Sequence, residues 1–114
     1  MGWLRNSHDT DEPGADPGPL DLPLPLAEGL ARVESAIGGL PRWRVETRDA
    51  SAGTVTATRR TRFLRAPDDV TIRLEPTPGG TRVHVRSKSR FGLIDFGQNR
   101  RNVLELFAAL RTVG

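Results

Sequence analysis

The chain has 114 residues, 36% of them apolar, and a formal net charge of +3. That length supports one small domain with one core. The absence of cysteine excludes a disulfide framework, a thiolate metal site and a cysteine nucleophile.

No window approaches the roughly 20 apolar residues of a membrane span. The start, MGWLRNSHDT, lacks the cationic region and apolar run of a signal peptide. Gly2 is followed by Asn6 where an N-myristoylation signal has a hydroxyl. The expectation is a cytoplasmic protein with no membrane span. Charge divides unevenly: residues 1–41 carry two arginines and seven acids, a balance of −5, and residues 42–114 carry 15 basic and seven acidic side chains, a balance of +8. All the cations but Lys88 are arginine, which suits bidentate contacts with carboxylate or phosphate. An arginine-rich codon usage explains the same bias without any function.

Residues 1–24 are acidic and proline-rich with no periodic apolar face, so a flexible lead-in is expected there. A single domain is expected over 25–114. Leu26, Leu30, Val33 and Ile37 recur at helical spacing, with Pro25 suited to the first turn and Gly38-Gly39 to the stop. Four strands are expected next, about ten residues apart: 42–48, 54–64, 70–75 and 82–89. Trp43, Val45 and Thr47 would share one face of the first, and Val55, Ala57, Thr61 and Phe63 alternate along the second. Val70, Ile72 and Leu74 turn inward in the third, and Val83 and Val85 in the fourth. DASAG, APDD and PTPGG read as the turns between them. Pairing Leu74 with Val83 aligns Ile72 with Val85 and sets Glu75 opposite Arg82, so one register satisfies both faces. Strict alternation turns Arg59 inward, which predicts a bulge near Arg59-Arg60 or a place at the sheet edge. Val103, Leu106, Phe107 and Leu110 form the stripe of a last helix. Asp95 and Gln98 fit a capping box at its start, with Asn99 as the rival cap. The resulting fold class is α+β: a two-layer sandwich, α-β-β-β-β-α, with both helices on one face of a four-stranded antiparallel sheet.

The other face then carries Arg42, Arg44, Arg48, Arg60, Arg62, Arg73, Arg82, His84, Arg86 and Lys88, with threonines between. Such a face is either a solvated surface or one that draws an acidic protein, a small anionic ligand or, nonspecifically, nucleic acid. It has no aromatic residue for bases to stack on.

The stretch SKSRFGLIDFGQNRRN runs from the last strand through Gly92 into the last helix. Arg86, Ser87, Ser89, Arg90, Gly92, Asp95, Gly97, Asn99 and Arg100 here resemble the signature of domain-of-unknown-function family 1499. The pair Asp68-Asp69 entering the preceding strand fits the same pattern. The resemblance spans roughly residues 42–111 and is most specific within 68–111. Many relatives begin with a cysteine-containing Asn-x-Val-Ser-Ser segment, for which this chain has only Asn6 and Ser7. The resemblance implies a motif and no reaction.

Two arrangements of that motif compete. In one, Asp68, Asp69 and Asp95 pair with Arg86, Arg90 or Arg100, while Ser87, Ser89 and Asn99 bond the loop into a polar clasp. In the other, Arg86, Ser89, Arg90, Asn99 and Arg100 surround an anion above the helix N-terminus. A noncatalytic binding or interaction module is the first expectation. The alternatives are a small hydrolase or transferase on a phosphorylated or carboxylated substrate, and an accessory subunit docking through its basic sheet face. No cofactor or metal is expected. His8 and His84 are not spaced as ligands, and neither Ser87 nor Ser89 has an evident base.

Overall fold

A computed structural model describes residues 5–61, 66–90 and 95–112. Its elements in chain order are β1 (Ser7–Asp9), β2 (Leu20–Leu22), α1 (Leu26–Gly39), β3 (Trp43–Asp49), β4 (Thr54–Arg59), β5 (Asp68–Thr77), β6 (Gly80–Ser89) and α2 (Gln98–Thr112). The protein is α+β, with two helices and one antiparallel sheet.

The sheet has six strands rather than four, in the order β1-β6-β5-β4-β3, with β2 also paired to β6. The two extra strands come from the segment expected to be a flexible lead-in. Each is three residues long, and they lie one after the other along the free side of β6, with Ser7 opposite Lys88 and Leu20 opposite Val83. The first helix therefore lies between β2 and β3 instead of ahead of the sheet, which corrects the expected helix–strands–helix order. Three residues can neither show alternation nor bury a face of their own. They form because an existing strand offers unpaired N–H and C=O groups.

The long hairpin matches its sequence closely. Leu74 faces Val83, Ile72 faces Val85 and Glu75 faces Arg82. Along β5 and β6 buried and exposed residues alternate almost without interruption. Their buried parity joins Leu30, Val33 and Ile37 of α1 and Val103, Leu106, Phe107 and Leu110 of α2 in one core. At the turn into β6, Gly80 has φ 147°, and a Cβ there would lie 2.2 Å from the Leu22 carbonyl oxygen. β2 can approach only because this position has no side chain.

The first hairpin departs from expectation. The irregularity lies on β3, between Val45 and Thr47, not near Arg59-Arg60. It inserts Glu46 and reverses the parity of the rest of the strand. Thr47 consequently shares the outer surface with Thr56, their hydroxyl oxygens 2.5 Å apart. Arg48, expected on that surface, instead reaches Glu34 of α1. Arg59 does point inward, but through neutralisation: its Nε–H donates to Glu105 Oε1 of α2 at 3.2 Å, and the guanidinium is 13% exposed. The same carboxylate accepts the Trp43 indole N–H at 2.5 Å. The expected second strand stops at Arg59; Arg62, Phe63 and Leu64 lie outside the described residues, as does Gly92.

Candidate functional site

The ends of β5, β6 and β1 meet the first turn of α2, and the side chains there form a buried polar network. Ser87 and Ser89 occupy the inward parity of β6, Asp68 opens β5, and Asn99 and Asn102 project from α2; all five are buried. Ser87 Oγ–H donates to Asn99 Oδ1 at 2.7 Å. Asn99 Nδ2 has three acceptors within reach for its two hydrogens: Asp95 Oδ2 at 2.6 Å, the Asn6 carbonyl at 2.8 Å and Ser89 Oγ at 2.9 Å. Asn102 Nδ2 donates to Asp68 Oδ2 at 2.8 Å and to Ser87 Oγ at 3.1 Å, and Gln98 Nε2 donates to Asn102 Oδ1 at 2.7 Å. Low surrounding polarity strengthens each bond and makes an unpaired member expensive.

Asp95 closes the helix end. Its carboxylate accepts the N–H groups of Gly97 at 2.8 Å and Asn99 at 3.2 Å. A negative charge there also meets the positive end of the helix dipole. The reciprocal half of a capping box is missing, because Gln98 turns to Asn102 and Arg101 instead of back to Asp95. The turn between carboxylate and helix uses positive φ at Phe96 (51°) and Gly97 (80°). It leaves the Phe96 side chain 72% exposed.

Of the candidate site residues, Asp68, Ser87, Ser89, Asp95 and Asn99 are thus brought together, and the arginines are not among them. Arg90 forms a two-pronged pair with Asp69 at the surface, Nη2 to Oδ1 at 2.6 Å and Nε to Oδ2 at 3.1 Å. That partner makes the guanidinium still harder to deprotonate. Arg100 Nε–H donates to the Asp16 carbonyl at 2.7 Å and Nη2 lies 3.3 Å from its carboxylate. Asp16 belongs to the β1–β2 connection, which with the start of α2 encloses a cleft of about 420 Å³. Arg86 is exposed and its side chain has no hydrogen-bond or ion-pair partner among the described residues. The missed members are Asn102 and the Asn6 backbone. Asn102 carried a signal: it lies three residues after Asn99 and four before Leu106, a polar residue on the buried stripe.

On the exposed parity, Arg44, Arg73, Arg82 and His84 of the candidate basic face are already paired. Arg44 lies 3.5 Å from Glu46, Arg73 3.3 Å from Asp11, and Arg82 2.8 Å from Asp21. The hydrogen bond from Arg82 pushes the Asp21 carboxyl below its usual range. His84 sits between Asp11 and Glu75. Arg60 is exposed, its N–H bonded to the Arg42 carbonyl at 2.8 Å. Lys88, two residues beyond Arg86, is exposed and also without a partner among the described residues. Arg86, Lys88 and Arg90 line a shallow hollow of about 240 Å³ with Asp69, Thr71 and Ser89. Among the described residues no group of three His, Asp or Glu side chains converges as metal ligands, and no helix is long and apolar enough to cross a membrane.

An antiparallel sheet whose last helix is tied to it through buried Asn, Ser and Asp side chains defines a small α+β protein with a polar rather than apolar junction. The chain belongs to the family described as protein of unknown function, DUF1499, whose model matches residues 6–110. The match includes Asn6, so the segment that supplies β1 and β2 lies within the family region. A search of curated proteins found no match.

Proposed function

We propose that this protein is a noncatalytic binding module that holds an anionic group on the outer face of β5 and β6, at Arg86, Lys88 and Arg90. In this reading the sheet and helices form two layers and the ligand meets the face turned away from both helices. One observation carries it: the Arg86 and Lys88 side chains project side by side into solvent with no partner among the described residues, where Arg73 and Arg82 on the same two strands are paired. Two unneutralised cations two residues apart on one strand attract a carboxylate or phosphate, and the exposed Thr71 at the rim of the hollow adds a hydroxyl. The helix N-terminus supports anion binding less well. Asp95 already accepts two of its free amides, and Arg100 is engaged by Asp16.

The ligand chemistry is a carboxylate or phosphate, from an acidic protein segment or a small free anion. Backbone NMR shifts during separate titrations with inorganic phosphate and with an oligoglutamate peptide distinguish the two sources. Shifts clustered on residues 69–71 and 86–90, abolished by Arg86→Ala combined with Lys88→Ala, support the reading. Shifts centred on 95–100, or none with either probe at low salt, refute it.

A further inference from the structure

The β1–β2 connection, residues 10–19, leaves and rejoins the free edge of β6 and is fastened at His84. The Thr10 N–H donates to the Val85 carbonyl at 3.0 Å, and the Val85 N–H to Thr10 Oγ1 at 2.9 Å. Next to them the His84 ring spans two carboxylates: Nδ1 lies 2.6 Å from Asp11 Oδ1, and Nε2 lies 2.9 Å from Glu75 Oε1. The imidazole is 12% exposed, although both acids are open to solvent.

Carboxylates only accept hydrogen bonds, so a ring with a carboxylate at each nitrogen satisfies both only when each nitrogen carries a proton. A neutral imidazole has one N–H. Its other nitrogen then turns a lone pair toward a carboxylate oxygen, and an attraction becomes a repulsion. We propose that His84 is a proton-operated latch: protonated, it clamps the 10–19 connection to the sheet through Asp11, and deprotonated, it lets that connection loosen. The charged groups around the ring are Asp11 from the connection, Arg73 and Glu75 from β5, and Arg82 and Arg86 along β6. Asp21 of β2 pairs with Arg82, and Asp9 of β1 stands opposite Arg86. Arg73 also reaches Asp11, at 3.3 Å, so Asp11 keeps one weaker tie when the latch opens. Loosening has a chemical consequence. The same connection supplies Glu12 and Asp16, which occupy Arg5 and Arg100, so its movement frees two guanidiniums beside the α2 N-terminus. This device is separate from the anion site proposed on the outer face.

Hydrogen exchange tests it in the intact chain. Protection of the Thr10 and Val85 amides, corrected for the intrinsic effect of pH, is measured at about pH 5.5 and about pH 8, across the range in which imidazoles titrate. Protection is expected to fall roughly tenfold at the higher pH, as one charge-assisted bond is lost. His84→Gln, which keeps a donor but cannot be charged, is expected to give low protection that no longer changes with pH. His8→Gln removes the chain's other histidine, whose Nε2 meets the Pro17 carbonyl, and is expected to keep the full response. Protection that is the same at both pH values refutes the latch. So does a response that survives in His84→Gln, or one that disappears in His8→Gln.

Discussion

Asn99→Ala tests the buried network at its centre. The side chain contributes two N–H hydrogens and one carbonyl oxygen, all engaged with groups on β6, the Asn6 backbone and Asp95. Three bonds at about 0.5–1.5 kcal/mol each, in a fully buried setting, come to about 3 kcal/mol. Alanine's better helix propensity returns at most about 0.6 kcal/mol. Truncation also leaves the Ser87 hydroxyl proton without its acceptor, which adds to the loss. The expected cost of about 3 kcal/mol is a large share of the roughly 5–15 kcal/mol typical of a domain. It corresponds to a fall in melting temperature of roughly 10–20 °C. Urea denaturation at neutral pH, followed by circular dichroism with an unchanged m-value, measures it. Asn99→Asp keeps the shape but sets a second carboxylate about where the amide nitrogen lies 2.6 Å from Asp95, so at neutral pH it should cost at least as much as alanine. A loss below about 1 kcal/mol in both variants would refute the idea that this network holds α2 to the sheet.

Gly80→Ala should destabilise by about 3 kcal/mol or more, since it combines an unfavourable φ with a backbone clash against Leu22; thermal unfolding or loss of soluble yield reports it. Arg90→Ala removes only an exposed pair and should leave the melting temperature essentially unchanged, a result that separates the surface arginine from the buried amides beneath it. Glu105→Ala leaves the Trp43 indole without an acceptor and the half-buried Arg59 without its carboxylate, with only the Arg60 carbonyl remaining, and should cost about 2 kcal/mol by urea denaturation. At Asp11, burial pushes the carboxyl upward, but the hydrogen bonds and charges of His84 and Arg73 outweigh it and hold the group below 3.8. A depressed carboxyl contributes stability that is fully present above its unfolded value and lost as pH falls through the folded one. The gap in urea midpoint between the wild type and Asp11→Asn should therefore be open at neutral pH and close in strong acid. A gap that widens on acidification contradicts that sign.

Legibility in the sequence depends on which interactions are local. The β5–β6 register was legible because one alignment satisfied the apolar face and the Glu75–Arg82 cross-pair together. The facing positions are as expected even though the side chains choose other partners, Glu75 taking His84 and Arg82 taking Asp21. The apolar stripes of both helices and the role of Asp95 at the start of α2 were legible for the same reason. β1 and β2 were not, since a three-residue strand has no period and takes its geometry from β6. Arg59 looked like a defect because its partner, Glu105, lies 46 residues away on α2. In the candidate site, Ser87 and Ser89 were legible from parity and Asp95 and Asn99 from spacing, Asp68 was legible only through the family resemblance, and Asn102 was missed. The Arg90–Asp69 pair was among the pairings the clasp allowed, but Arg100 was misplaced, because sequence cannot show that Asp16 of the opening segment stands at its guanidinium.

The seal that β1 and β2 place along β6 bears on how the protein is handled. Any trimming that starts the chain at residue 24, as its acidic, proline-rich opening invites, would strip a ten-residue strand of its cover. The bared amides and carbonyls would recruit a second molecule's strand in their place. A shortened version is expected to run as self-associated material on a sizing column, with its helices still folded.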